Sequence, residues 1–438
     1  MALGGGTFTA QNKKLPGAYI NFVSAATADA TLSDRGIVTL ALPMKWGAEH
    51  AVIELTKGDA IKKCRSIFGY SYTDSEMTWL RDIFANAVKL FAYRLNGIGG
   101  TKAASTLATA KYTGERGNDL GIKVAANIDD ENKFDVSTYL GGVVIDKQTV
   151  ASASGLVDND FVVFKKTATL EAVAMQALTG GASASVTGDD YSAYLGDIES
   201  YNFNTIGYYA TTPELTVSRL YEAFVKRMRD EVGKKFQLVA YTDGTTITFD
   251  YEGIIATNVL AAIPWLLGAQ GGCAVNASCT NKLYTGETDI SAAVDTVSAT
   301  QSQLEASIDA GILTFHRVGN DFRVLTDINT LKTTTQDKGN VFKANQTIRV
   351  IDQIGNDIAV LFNTKYLGVI PNNASGRISL WGDIVKHHEQ LQAIGAIENF
   401  NDANVVVTEG DTKRAVVVTD LVDIVNAMEQ LYMTVTIA

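Results

Sequence analysis

The sequence predicts a mixed chain, part α/β and part α+β: an α/β core, an all-β domain inserted into it, and extended strand arms at both ends. Three observations predict this. Two segments, 79–95 and 217–241, each show apolar residues at helical spacing followed at once by a strand-like run, which is how an α/β layer is written. Between them the composition shifts toward Gly, Ala, Thr, Ser and Asp. Finally, apolar and polar residues alternate with period two near both termini.

The leader carries Gly4–Gly6 and then Pro16-Gly17-Ala18-Tyr19-Ile20-Asn21-Phe22-Val23, where Ile20 and Phe22 alternate with their neighbours as in a short strand. Ile37 to Leu42 reads as a buried strand stopped by Pro43. Leu80, Ile83, Phe84, Ala87 and Val88 share one helical face, and Leu90 to Leu95 follows as a strand closed by Asn96-Gly97. The second unit repeats the plan, with Val217, Leu220, Tyr221, Phe224, Val225 and Met228 on one face. Gly233 stops that helix, and Phe236 to Tyr241 forms the strand. In the insertion, Gly142 to Ile145 and Asp160 to Lys165 read as strands. If the flanking units close one core across it, the insertion projects as a separate module. Farther on, Phe315 to Leu325 and Thr347 to Ile351 read as strands, Ile378 to Ile397 as a helix, and Met433 to Ile437 as a terminal strand in need of a partner. The domain boundaries predicted on this basis are an arm over 1–23, core over 24–102, inserted β domain over 103–194, core again over 195–404, and a strand region with an arm over 405–438.

With 438 residues, 46% of them hydrophobic and 19% charged, the chain is long enough for two to four domains at roughly 100 to 200 residues each. A net charge of -11 and no cluster of Lys and Arg with interleaved aromatics argue against nucleic-acid binding. No stretch approaches the ~20 apolar residues of a membrane-spanning helix, and the first residues lack a basic n-region, so synthesis in the cytoplasm is expected. Cys64, Cys273 and Cys279 lack CxxC spacing and read as reduced thiols used as small buried hydrophobes.

Candidate chemistry is sparse. Asn96-Gly97-Ile98-Gly99-Gly100 follows a strand, but Lys102 stands where a phosphate loop needs its third glycine. His387-His388-Glu389-Gln390-Leu391-Gln392 has Gln392 where a zinc-protease helix places its second histidine. No GxSxG elbow occurs, and no Ser or Cys has a base near it in sequence. The expectation is therefore no enzyme, no cofactor and no metal. Lys386, His387 and His388 stand out as a basic surface that could meet an acidic partner.

Several segments, in collinear order, resemble the tail sheath proteins of contractile phages, prophages and phage-tail-like bacteriocins. They are Pro16 to Ile20, Arg35 to Val38 running into Leu40 to Gly47, Ala85 to Asn96, Lys111 to Gly114 with Arg116-Gly117-Asn118, Tyr201 to Asn204 and Gly233 to Phe236. The likeness continues through Leu267-Gly268-Ala269-Gln270-Gly271-Gly272, Asn276 to Asn281, Tyr284 to Gly286, Asp327 to Leu331, Ile348 to Asp352 and Met428 to Val435. What the resemblance implies is a structural subunit of stacked six-fold rings. These surround a tail tube protein, meet baseplate and terminator proteins, and contract to drive the tube. The insertion would face outward, and Lys386, His387 and His388 become candidates for tube contact, with a solvated or inter-subunit face as the alternative. Assembly in the host bacterial cytoplasm and residence in the mature virion tail are implied with it. Ala18, Tyr19, Ile20 and Phe22 at one end, with Tyr432, Met433, Val435 and Ile437 at the other, become candidate inter-subunit arms. The alternatives are another self-assembling particle protein, of capsid or S-layer type, and an α/β enzyme carrying a β insertion.

Overall fold

A computed structural model describes residues 32–437, which form two compact units: 34–355 with 424–437, and 32–33 with 356–423. The expected N-terminal arm residues Ala18, Tyr19, Ile20 and Phe22 lie outside the described residues.

The larger unit begins with β1 (Ile37–Leu42), β2 (Val52–Thr56), α1 (Lys57–Phe68), α2 (Thr78–Phe84) and β3 (Lys89–Arg94). The insertion carries β4 (Ala108–Ala110), β5 (Leu120–Ala126), β6 (Phe134–Leu140), β7 (Val143–Val150), β8 (Val162–Phe164) and β9 (Val173–Ala177). After it come α3 (Gly188–Ile198), β10 (Thr205–Gly207), α4 (Leu215–Lys226), β11 (Gln237–Tyr241), β12 (Ile254–Thr257) and α5 (Ile263–Gly272). The unit continues with α6 (Ser291–Val297), α7 (Gln301–Asp309), the hairpin β13 (Phe315–Val318)–β14 (Asp321–Val324), and the start of α8 (Asn345–Leu361).

One six-stranded sheet, in the order β2-β3-β1-β10-β11-β12, unites the two helix–strand units across the insertion. Every pairing in it is parallel except β2 with β3. Parallel strands are covered on both faces, and here alternate side chains divide between two apolar layers. Val38, Leu40, Leu90 and Ala92 join α1, α2 and α5, whereas Ala41, Phe91, Tyr93 and Ile206 join α3 and α4. Helix α5 is buried all round because its glycines admit close neighbours. A Cβ on Gly268 would stand 2.2 Å from the Ile83 carbonyl oxygen, and one on Gly271 would stand 2.4 Å from Val38 Cγ1. The Leu267–Gly272 motif thus seats α5 against α2 and β1.

The insertion folds as an antiparallel sheet β7-β6-β5-β9 with the pair β4–β8, around Ile122, Val124, Val136, Leu140, Phe161 and Phe164. Its ends meet: Thr101 and Ala182 exchange backbone hydrogen bonds of 2.8 and 3.1 Å. Trp46, from the core, enters the insertion's apolar cluster beside Tyr112 and Phe161.

The smaller unit packs α9 (Ala374–Ala393) around Leu361, Tyr366, Leu380, Ile384 and Val405. Asn373 caps the helix, accepting the Gly376 N–H at 2.9 Å. After β15 (Ile397–Glu398) comes an antiparallel hairpin, β16 (Val406–Glu409) with β17 (Val416–Thr419), whose Val406, Val417 and Val418 are exposed.

Three secondary-structure expectations are corrected: the helical face read through Val88 ends at Phe84. Thr347 to Ile351 is helical, in the first turns of α8, and residues 425–437 carry no strand in the isolated subunit.

Candidate assembly site

The larger unit contains a buried polar knot made from the Gln270, Asp327 and Arg349 motifs. Asp327 Oδ2 accepts from Arg349 Nη2 at 2.6 Å and from the Cys279 N–H at 2.9 Å, while Oδ1 accepts from Gln270 at 2.7 Å and Asn345 at 3.0 Å. Arg349 also donates to Gln270 Oε1 at 2.8 Å and to the Ala277 carbonyl at 2.7 Å. Burial alone would raise the Asp327 carboxyl, but Arg349 and these donors outweigh it and hold the group below the ordinary carboxylate value. One helical turn along α8, Asp352 receives both terminal nitrogens of Arg229 at 2.6 and 2.7 Å. Spacing of i and i+3 on a helix is what turns Arg349 and Asp352 inward together. These pairs are load paths of the fold, since both carboxylates and the terminal nitrogens of both guanidiniums are spent on structure, while Nε of Arg229 and of Arg349 is buried without a partner.

The C-terminal segment is rooted beside this knot. Gln346 bonds the Val425 carbonyl at 3.1 Å and the Ala427 N–H at 3.0 Å, and Thr347 meets Asn426 at 3.2 Å. Glu429 then takes two hydroxyls, Thr280 at 2.6 Å and Thr326 at 2.8 Å. Thr280 Oγ1 in turn accepts the Asp327 N–H at 2.9 Å, which links the root to the knot. Beyond Glu429 the chain leaves the surface. Tyr432, Met433, Val435 and Ile437 are 87, 74, 69 and 91% exposed, an apolar run with no partner strand among the described residues. The expected strand needs a ladder, and the described residues offer it none. Sequence reasoning named this segment as a candidate arm and missed the contacts that hold its base, although Glu429 sits inside the Met428–Val435 motif and Thr280 inside Asn276–Asn281.

In the smaller unit Lys386 is exposed, but His387 and His388 are buried, so the expectation that their rings touch a tube is corrected. His387 Nε2 meets Asp357 Oδ2 at 3.0 Å and His388 Nε2 meets Asp420 Oδ2 at 2.6 Å. The two Nδ1 atoms face each other at 3.2 Å. Ser33 adds a hydroxyl to Asp357 at 2.6 Å. Among the described residues, no group of three or more His, Cys, Asp or Glu is placed to hold a metal ion. No helix among them is long and apolar enough to cross a membrane.

Comparison with known proteins places this geometry. Sequence models of four domains match in tandem: the tail sheath protein Gp18 domain III N-terminal region over 35–95, the phage tail sheath protein beta-sandwich domain over 98–183, its central domain over 184–330, and the phage tail sheath C-terminal domain over 337–438. The phage-like element PBSX protein XkdK of Bacillus subtilis strain 168 is 29% identical over 480 residues, covering 99% of this chain and 100% of that protein. The crystal structure of a sheath tail protein from Desulfitobacterium hafniense is 36% identical, with a TM-score of 0.78 over 90% of this chain and 93% of that one. The helical sheath of the anti-feeding prophage in its contracted state shares the fold, at 14% identity and a TM-score of 0.56 over 97% of this chain and 99% of that one.

Proposed function

The chain belongs to the phage tail sheath protein family and is a structural sheath subunit of a contractile tail, not an enzyme; from that premise we propose how its copies are joined. The coarse setting is a multi-subunit assembly in the tail of a phage-like particle. Within it, copies stack as six-fold rings around a tube protein, between a baseplate and a terminator, after assembly in the host bacterial cytoplasm. Their terminal segments, Ala18 to Phe22 and Tyr432 to Ile437, link neighbouring copies. Lys386 is the remaining candidate of its trio for tube contact.

The observation that carries the linkage is the contrast within one short segment. Residues 425–429 are held by side chains of the larger unit, and the apolar residues after them are left in solvent. Exposed apolar runs mark interaction sites. A segment of alternating residues gains by adding to a sheet edge of another copy, where its backbone groups find a ladder. Because the root stays fixed while the strand is shared, links of this kind survive when body contacts rearrange, which is what contraction requires.

Negative-stain microscopy of the purified chain is expected to show tubes or polysheaths. Closed shells or planar lattices would favour a capsid or S-layer type of assembly instead.

The insertion is proposed to face outward and to be dispensable for polymerisation, since its ends meet at Thr101 and Ala182. Deleting 102–181 with a short Gly/Ser joint, together with Trp46→Ser to remove the tryptophan that would lose its cluster, is expected to leave tube formation intact. A folded deletion chain that forms no tubes would show that the insertion is part of the lattice.

A further inference from the structure

His387 and His388 are consecutive residues of α9 and both are buried in the smaller unit. Three contacts run in line through their rings: Asp357 Oδ2 to His387 Nε2 at 3.0 Å, Nδ1 to Nδ1 at 3.2 Å, and His388 Nε2 to Asp420 Oδ2 at 2.6 Å. At these distances each contact is attractive only with one hydrogen in it, since two bare atoms oppose their lone pairs and two hydrogens oppose each other. Two neutral imidazoles between two ionised carboxylates supply two hydrogens. The line of contacts needs three.

We propose that Asp357, His387, His388 and Asp420 form a binding site for one excess proton, a clasp that holds the smaller unit most tightly within a window of pH. The inference does not depend on how sheath subunits are joined. A metal ion in line between the two nitrogens would need them about 4 Å apart, at about 2 Å each. Among the described residues no group of three or more His, Cys, Asp or Glu stands ready to complete a bent shell. The proton is the occupant that fits.

The groups around the rings come from separate stretches of chain. Asp357 belongs to α8 and also accepts the Ser33 hydroxyl at 2.6 Å, Asp420 directly follows β17, and the Phe400 ring lies edge-on to His388 with centroids 5.2 Å apart. On α9 itself Lys386 and Glu389 are exposed, and Asp383, one turn back, is engaged by Lys365 at 2.6 Å. The clasp therefore ties residue 33, α8, α9 and the end of the hairpin β16–β17 together. Its pH dependence has a sign on each side. In the unfolded chain the two histidines hold both protons well below about pH 6.5, one between them near it, and none well above it. The folded clasp holds one. Folding takes up a proton on the alkaline side and releases one on the acid side, so the contribution to stability is greatest near about pH 6.5 and falls away in both directions. A pair folded without the extra proton would only gain stability as the pH rises, and a pair folded with two would only lose it.

The test is urea unfolding of the full-length chain from about pH 5 to about pH 8, the range in which histidine titrates. Unfolding is read on peptides of α9 by hydrogen-exchange pulses at one fixed labelling pH, beside a chain carrying both His387→Gln and His388→Gln. The ratio of folding constants, parent over variant, is expected to peak near about pH 6.5 and to fall by up to about tenfold per pH unit on each side. A ratio that is flat, or that only rises or only falls across the range, would overturn the proposal. If the variant does not fold, the parent chain decides alone, by solid-state NMR of isotopically labelled histidine ring nitrogens near neutral pH. The pair is assigned through the His387–His388 peptide bond, the one such dipeptide in the chain. Three ring N–H protons are expected on it, one on each Nε2 and one shared by the Nδ1 atoms. Two or four would overturn the one-proton clasp.

Discussion

Replacing Asp327 by alanine is expected to destabilise the chain by about 3–5 kcal/mol, because it leaves the Arg349 guanidinium buried without its counter-charge. Four donors converge on the two carboxylate oxygens, so the alanine also strands Gln270, Asn345 and the Cys279 N–H. Against an ordinary total of about 5–15 kcal/mol, the loss is a large share, and the urea midpoint should fall with it. Exchanging the pair for apolar residues, Asp327→Leu with Arg349→Met, should recover much of the loss, since a buried pair repays little more than its own desolvation. The pH dependence has a definite sign. A carboxyl held below its unfolded value of about 3.9 contributes stability fully above that pH and loses it as the pH falls through the lower folded value. Asp327→Asn should therefore flatten the acid limb of the stability curve. An acid limb as steep as that of the parent chain would assign it to other carboxylates.

Legibility followed the physical range of each signal. The strand at Ile37–Leu42 was readable residue by residue because a buried parallel strand is apolar on both faces. Helix α4 was readable from one apolar face, and Gly233, which closes the π-helical turn Arg227–Val232 continuing it, takes the left-handed conformation at φ 86° that a stop requires. The face drawn from Trp79 to Val88 was too long: α2 ends at Phe84 and Val88 is 63% exposed. Thr347 to Ile351 misled because β-branched residues favour strands locally. What overrides them is tertiary, the need to deliver Arg349 to Asp327 and Asp352 to Arg229 from one helical face.

The candidate site divides in the same way. Period-two alternation pointed to a candidate arm, but the side chains that hold residues 425–429 come from residues 280, 326, 346 and 347, distant in sequence and close only after folding. The histidines show the reverse error. A basic, histidine-bearing helix reads as a surface, yet Asp357, thirty residues earlier, and Asp420, thirty-two later, draw both rings inside. Nothing adjacent in the sequence signals those partners.

Removing Tyr432–Ala438 is expected to abolish tube formation while leaving the subunit folded. The apolar side chains described in this segment are exposed, so the monomer loses no core, and circular dichroism and melting temperature should stay near those of the parent chain. In the assembly the segment would add about five backbone hydrogen bonds, each worth a net ~0.5–1.5 kcal/mol. Burial of Val435 and Ile437 adds ~1.5–3 kcal/mol each. Ordering the free segment offsets much of this, at roughly 1–2 kcal/mol per residue. A single link is therefore weak, and the lattice depends on its repetition in every subunit. Val435→Pro should act like the truncation by deleting one ladder donor and blocking the neighbouring register. Glu429→Ala separates the root from the strand: the alternating residues remain, but the Thr280 and Thr326 anchors are lost. Its tubes should form more weakly and shorten in sedimentation and microscopy, between the parent and the truncated chain. Tubes of normal length from the truncated chain would remove the arm from the assembly, and an unfolded truncated chain would instead make residues 432–438 part of their own subunit's core.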